Sequence, residues 1–139
     1  MKHSSGTLED LAITRLHSTA VFVKDQEAAL DFYINTLGWT KAIDQPMGPE
    51  YRYVTVVPPA GGAQLALEVP AGFHGEGSVP GRFNGISFVT EDVDATYAEL
   101  SAKGVRFKSP VEDMPWGARA TWFYDIDGNE FFLTADQEP

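Results

Sequence analysis

The chain has 139 residues, of which 43% are hydrophobic and 22% are charged, a balance typical of one small globular domain. Twenty acidic residues against ten basic residues give a net charge of −10, which disfavours binding to nucleic acid or to an anionic membrane surface. The chain has no cysteine, so disulfides, thiolate metal sites and cysteine nucleophiles are excluded, and a cytoplasmic location is expected. No apolar run approaches the roughly 20 residues of a membrane span.

An internal repeat relates the two halves of the chain, since residues 18–33 can be laid over residues 85–100. In each copy a β-rich run leads to an aspartate, Asp25 or Asp92, that is suited to cap the N-terminus of a helix. Each predicted helix then ends at a glycine, Gly38 or Gly104. The pattern therefore predicts two copies of one strand–helix opening.

Each predicted helix has one apolar stripe, at Leu30, Tyr33, Ile34 and Leu37 in the first copy and at Val93, Tyr97 and Leu100 in the second. Strand-like runs follow at 39–43, 51–57 and 63–69, and again at 105–108, 118–124 and 130–134. The predicted fold class is α+β, with two tandem βαβββ units. We expect a tail at residues 1–13, units at 14–69 and 85–135, and a connector at 70–84.

Four short motifs punctuate these units: Phe32-Tyr33, Leu37-Gly38-Trp39, Pro115-Trp116-Gly117 and Asp125-Ile126-Asp127-Gly128-Asn129. With them, residues 14–135 resemble the glyoxalase, bleomycin-resistance and dioxygenase superfamily, also called the vicinal oxygen chelate fold. The last motif is similar to the family's Asp-Pro-Asp-Gly-Asn hairpin, with Ile126 in place of proline. The resemblance implies curled mixed sheets around a shared cleft, often completed by a homodimer.

Metal-dependent members of this superfamily place histidine, glutamine or glutamate at four inward-facing strand positions. Matched by motif, those positions fall on Ser18, Glu68, Gly85 and Phe132. Only Glu68 is a typical ligand, and one carboxylate does not hold a metal ion. We therefore predict no metal and no other cofactor.

A different metal site would need two histidines and one carboxylate: His17, His74 and either Glu68 or Glu130. His17 adjoins Ser18, and strand alternation sends neighbouring side chains to opposite faces. His74 lies in the connector and reaches the cleft only if that loop folds inward. This alternative stays open but is disfavoured.

The same alternation places a set of side chains in the predicted cleft. If Ser18 faces inward, so does Phe22, because the two are separated by an even number of positions on the strand. For the same reason Glu130 and Phe132 share a face of the last strand. Trp122 and Trp116 lie nearby in sequence, and Arg119 is predicted to pair with either a carboxylate ligand or a surface acid. The candidate ligand-binding residues are Ser18, Phe22, Glu68, Trp116, Arg119, Trp122, Glu130 and Phe132.

Two functions follow from the resemblance. The favoured one is a metal-independent, homodimeric small-molecule-binding protein resembling the bleomycin-resistance branch, which holds a planar or cationic drug by aromatic and acidic side chains. The alternative is a divalent-metal lyase, isomerase or dioxygenase with non-standard ligands. Neither a Gly-x-Ser-x-Gly elbow nor a phosphate-binding glycine loop is present, so the sequence names no catalytic residue.

Overall fold

A computed structural model describes residues 12–70, 80–81 and 83–135 of the chain. The first unit contains strand β1 (Ser18–Phe22), helix α1 (Gln26–Asp31) and strands β2 (Thr40–Pro46), β3 (Arg52–Val57) and β4 (Gln64–Glu68). The second unit contains β5 (Phe83–Thr90), α2 (Val93–Ala102), β6 (Glu112–Asp113), β7 (Arg119–Tyr124) and β8 (Glu130–Ala135). The predicted fold class is therefore confirmed.

Each unit builds one four-stranded mixed sheet, with strand order β1-β4-β3-β2 in the first and β5-β8-β7-β6 in the second. In both sheets the opening strand pairs in parallel with the closing strand, while the other neighbours are antiparallel. The two topologies are the same. The repeat seen in the sequence is thus a repeat of architecture.

The predicted helix caps are present. The Asp25 carboxylate accepts hydrogen bonds from the Glu27 and Ala28 backbone amides at 2.9 and 3.4 Å, and that of Asp92 accepts one from Ala95 at 3.0 Å. The two predicted terminating glycines, Gly38 and Gly104, have φ angles of 81° and 92°. This left-handed backbone is where the absence of a Cβ removes the steric cost.

Two elements differ from the sequence prediction. The first helix does not continue as α-helix but changes to a π-helical turn over Phe32–Thr36, where the Leu37 amide donates to the Phe32 carbonyl at 3.0 Å. The run 105–108, predicted as a strand, contributes a single bridge from Phe107 to Phe123, and the edge strand β6 forms later at Glu112–Asp113. Phe107 instead packs against Tyr97 of α2, with ring centroids 4.5 Å apart.

One hydrophobic core is shared by both units. It combines the helix-facing residues of the first sheet, such as Val21 and Leu65, with those of the second, such as Phe131 and Leu133. Trp39, at the end of the first helical segment, packs against Phe88 of β5 with ring centroids 5.1 Å apart. Removal of these apolar surfaces from water is the main driving force that holds the units together.

A buried polar network fixes the first unit against the β7–β8 turn. Tyr33, with none of its surface exposed, donates its hydroxyl to Asp125 Oδ2 at 2.7 Å. The other Asp125 oxygen accepts the amides of Asp127 and Asn129 at 2.8 and 2.9 Å. Asn129 Nδ2 donates to the Phe22 carbonyl at 2.9 Å, so the turn contacts the end of β1 directly.

Burial and the adjacent Asp125 carboxylate raise the pKa of Tyr33 well above its usual value, so its hydroxyl stays protonated and donates. The residues Asp125 and Asn129 are each only 2% exposed. Such groups are costly to bury unless every one is hydrogen-bonded. The network therefore specifies how the two units pack.

Within the residues described above, no helix is both long enough and apolar enough to cross a membrane.

The Tyr33 hydroxyl should contribute measurably to stability. In Tyr33→Phe the Asp125 carboxylate loses one buried donor, and we expect the free energy of unfolding to fall by about 1–3 kcal/mol in urea denaturation. The matched control is Tyr97→Phe, because the Tyr97 hydroxyl has no partner among the described residues; its effect should stay below about 0.5 kcal/mol. Equal losses in the two variants would contradict the role given to the network.

Candidate functional site

A cleft of about 650 Å³ opens on the face of the first sheet that lies away from the shared core. Its lining residues come from β1, from β3 and β4, and from the β2–β3 turn: Ser18, Thr19, Ala20, Met47, Tyr51, Tyr53, Ala66 and Glu68. All of them belong to the first unit. We call this space the first-unit cleft.

The floor of the first-unit cleft is made of small side chains. Ala20 of β1 pairs in register with Ala66 of β4, and Ser18 lies two residues before Ala20 on the same face. Thr55 of β3 pairs with Ala66 from the other side and is fully buried. Small residues at neighbouring positions of β1 and β4 leave the volume that the cleft occupies.

Glu68 is the acidic group of the cleft. It closes β4 and is only 3% exposed. Its two carboxylate oxygens lie 3.1 and 3.0 Å from the Tyr51 hydroxyl, which donates to them. Burial, followed by the hydrogen bond to Glu68, raises the pKa of Tyr51 to about 12, so this phenol remains neutral near physiological pH.

The aromatic wall of the cleft comes from Tyr53 of β3 and from Tyr51, which immediately precedes that strand. Strand alternation sends Tyr53 to the opposite face of β3 from Val54 and Val56, which belong to the core. Met47 stands at the rim and is 54% exposed. Its backbone amide donates to the Tyr51 carbonyl at 2.7 Å, which closes the turn between β2 and β3.

Arg52 anchors this wall from outside the cleft. Its guanidinium makes two 2.8 Å hydrogen bonds to Asp44 of β2 and an ion pair of 2.6 Å to Glu27 of α1. The hydrogen bond from Arg52 holds the pKa of Asp44 well below its usual range, so the pair stays charged. The start of β3, which lies between the two tyrosines, is thus tied to a neighbouring strand and to the helix.

The second sheet presents a different outer face. Trp122 and Phe132 pair in register on β7 and β8, and their ring centroids lie 5.0 Å apart. Lys108 Nζ lies 5.7 Å from the centroid of the Trp122 ring and 3.3 Å from Glu130 Oε2. We call this face the second-unit platform. It combines the two aromatic rings with Glu130, an acid that forms an ion pair with Lys108 of the same unit.

The structure divides the sequence-predicted residues among several places. Ser18 and Glu68 line the first-unit cleft, and Phe22 pairs in register with Glu68 on the adjacent strand. Trp122, Glu130 and Phe132 lie together on the second-unit platform.

Two predicted residues lie in neither group. Trp116 is 63% exposed in the turn before β7. Arg119 makes hydrogen bonds of 2.8 and 2.9 Å to Asp94 and of 3.1 Å to Asp113, so it pairs with surface acids, one of the two alternatives predicted for it.

Sequence reasoning missed Thr19, Met47, Tyr51, Tyr53 and Ala66 as cleft residues. A signal for the two tyrosines existed, because Tyr51-Arg52-Tyr53-Val54 alternates polar aromatic and other residues in a run already predicted to be a strand. Met47 has no such signal, since it reaches the rim through the geometry of a turn.

The residues at the family's metal positions do not fit a metal ion. Of Ser18, Glu68, Gly85 and Phe132, only Glu68 has a carboxylate or imidazole donor, and divalent ions need several. His17 is exposed just before β1, and Glu68 and Glu130 lie on different sheets. His74 falls outside the described residues, among which no group of three or more His, Asp or Glu side chains is placed to hold a metal.

The comparisons with known proteins agree with this architecture. A family model described as the Glyoxalase/Bleomycin resistance protein/Dioxygenase superfamily matches residues 15–133, and the chain belongs to that superfamily. A member of the same superfamily from Sphaerobacter thermophilus has a crystal structure with a TM-score of 0.87 and 50% identity, over 91% of this chain and 100% of that one.

Two further relatives are informative. TnmS3, an antibiotic-binding protein from Streptomyces sp. CB03234, has a TM-score of 0.74 and 36% identity, over 91% of this chain and 99% of that chain. The YetH protein of Bacillus subtilis is 33% identical over 121 residues, which is 87% of this chain and 98% of YetH.

The donor set predicts the metal content of the purified protein. After dialysis, elemental analysis by inductively coupled plasma mass spectrometry should find far less than one divalent metal ion per chain. The reason is that Glu68 is the only typical metal ligand among the four positions that bind metal in other members of the family. About one tightly bound ion per chain, lost in Glu68→Ala or Glu130→Ala but retained in Glu50→Ala, would contradict this expectation.

Proposed function

We propose that this protein is a metal-independent small-molecule-binding protein that holds a planar aromatic ligand in the first-unit cleft. One observation carries the proposal: an apolar space of about 650 Å³ in which tyrosine rings stand over a floor of small residues, with one buried carboxylate. A site for a drug-sized molecule usually has about 300–1,000 Å³ and a few fixed polar groups in an apolar lining.

The side chains support recognition by surface contact. The Tyr53 ring offers a flat face for stacking, and Met47 has an unbranched, polarisable side chain that adapts to ligands of different outline. Ala20 and Ala66 leave room for a flat molecule to lie against the sheet. Stacking on aromatic rings adds about 0.5–1.5 kcal/mol per contact beyond the buried area.

The relatives point the same way. TnmS3 is an antibiotic-binding protein, and its 36% identity with this chain extends over nearly the whole of both molecules. We therefore propose that the ligand is an aromatic antibiotic or a molecule of similar shape, and that the protein acts by sequestering it. A cytoplasmic location fits this role and the absence of cysteine.

A second copy of the chain would complete the site in this proposal. The first-unit cleft is open to solvent, and the second-unit platform of the same chain does not line it. In a two-fold homodimer the platform of one copy, with Trp122 and Phe132, faces the cleft of the other, and each contact occurs twice. We propose in addition that the exposed Trp116 ring contributes to the rim of that interface.

Ligand binding can be tested by thermal shift. Against a panel of aromatic antibiotics and cationic glycopeptides, we expect at least one aromatic compound to raise the Tm, because a ligand that binds only the folded state stabilises it. Tyr53→Ala should abolish the shift, while Val89→Ala, an exposed apolar residue outside the cleft, should leave it intact.

Three results would count against the proposal in different ways. If no compound shifts the Tm, the drug-binding function is wrong. If Val89→Ala abolishes the shift and Tyr53→Ala does not, the ligand occupies another groove. If Trp116→Ala leaves the shift unchanged, Trp116 is not part of the site.

The dimer makes a separate prediction. Size-exclusion chromatography with light scattering should give the mass of two chains for the wild-type protein. Trp122→Ala should favour the monomer, because a buried aromatic ring at the centre of an interface is a frequent hot spot. The control is Ile126→Ala, which removes an apolar side chain that is 50% exposed in the β7–β8 turn. A monomeric wild-type protein at every concentration would refute the shared site.

A further inference from the structure

The Glu68 carboxylate is buried, and the residues that the structure describes use only a small part of its acceptor capacity. An ionised carboxylate has about four sites for donors. The Tyr51 hydroxyl has one proton to share between the two oxygens, at 3.1 and 3.0 Å. Among the described residues no Lys, Arg or His forms an ion pair with Glu68.

The basic residue closest in sequence to this part of the wall is already engaged elsewhere. Arg52 adjoins Tyr51, yet its guanidinium is held by Asp44 and Glu27. Glu130, the acid of the second-unit platform, forms an ion pair with Lys108, whose Nζ lies 3.3 Å from Glu130 Oε2. Glu68 therefore differs from Glu130: its charge faces the cleft without a cation from the part of the chain that the structure describes.

A buried negative charge with a neutral partner is costly, and a charge-assisted hydrogen bond relieves that cost. Glu68 is only 3% exposed, but it lines the first-unit cleft, so a ligand in the cleft can reach its oxygens. A neutral ligand would leave the carboxylate without a compensating charge, and an anionic ligand would add repulsion to a carboxylate that is itself buried.

We propose that the first-unit cleft selects ligands by charge, and that its preferred ligands have a protonated amine or amidinium group on the aromatic body, bound by Glu68. This inference rests on the proposed function, since it assumes that the cleft binds a small molecule. The aromatic body lies against Tyr53 and Met47, and the cationic group donates to the Glu68 oxygens that Tyr51 leaves free.

Three acridines of similar size test the inference: 9-aminoacridine, which is cationic at neutral pH, acridine, which is neutral, and acridine-9-carboxylate, which is anionic. Binding is followed by ligand fluorescence at pH 7.5. In the wild-type protein the aminoacridine should bind about tenfold or more tighter than acridine, as expected for a hydrogen bond to a charged group, and the carboxylate should bind weakest.

Two test variants and one control variant locate the preference. Glu68→Gln keeps the size of the side chain and should reduce the affinity for aminoacridine to that for acridine, while Glu50→Gln removes one exposed acid beside Tyr51 and should change nothing. Tyr51→Phe takes away the internal donor and should increase the preference for the cation. This variant keeps the test valid if Glu68→Gln fails to fold, which circular dichroism would show.

The outcomes separate the two proposals. If the three acridines bind the wild-type protein equally and Tyr53→Ala weakens all of them, the cleft binds aromatic molecules but charge selection is wrong. If the cation is preferred equally in wild type, Glu68→Gln and Tyr51→Phe, the preference comes from the net charge of the protein and the inference fails. If none of the three binds, both the inference and the proposed function fail.

Discussion

The hydrogen bond from the Tyr33 hydroxyl to Asp125 is the contact on which the arrangement of this molecule depends. It joins the first helical segment of one unit to the last turn of the other, across 92 positions of sequence. Because the donor and the acceptor are both buried, the bond cannot be exchanged for one to water without exposing the core around Phe131 and Val21. The packing of two similar units is thereby restricted to one geometry.

That geometry leaves the outer face of each sheet free for a different purpose. The first sheet carries small residues, two tyrosines and the buried Glu68, whereas the second carries Trp122 and Phe132 beside a satisfied ion pair. Two units of one topology have therefore diverged in surface chemistry while retaining their caps and helix-terminating glycines. The duplication explains the fold, and the divergence explains why only one of the two faces forms the cleft described here.

Much of the fold could be predicted from sequence because its signals are local. An aspartate that caps a helix, a glycine at positive φ and an apolar stripe each act within a few residues, and they recur in both copies. The prediction failed at residues 105–108, where the alternation suggested a strand but Phe107 packs between Tyr97 and Phe123 and allows only one bridge. Here a tertiary contact prevailed over local pattern.

The site was predicted less completely because it depends on which residues meet across strands. Ser18 and Glu68 could be placed by motif, but the partner of Glu68 could not, since Tyr51 lies in the turn between β2 and β3 that the Met47 amide closes. The assignment of Trp122, Glu130 and Phe132 to one face followed from alternation alone. Their separation from Ser18 and Glu68 follows from the packing of the two sheets on one core.

The buried network also has a consequence for how such a protein changes over generations. The residues that fix the two units, Tyr33, Asp125 and Asn129, do not line the first-unit cleft. The floor of that cleft, at Ser18, Ala20 and Ala66, is built from small side chains whose replacement alters its shape with little effect on the junction. Recognition can therefore drift while the scaffold is conserved, which makes the fold a tolerant starting point for the evolution of new ligand specificities.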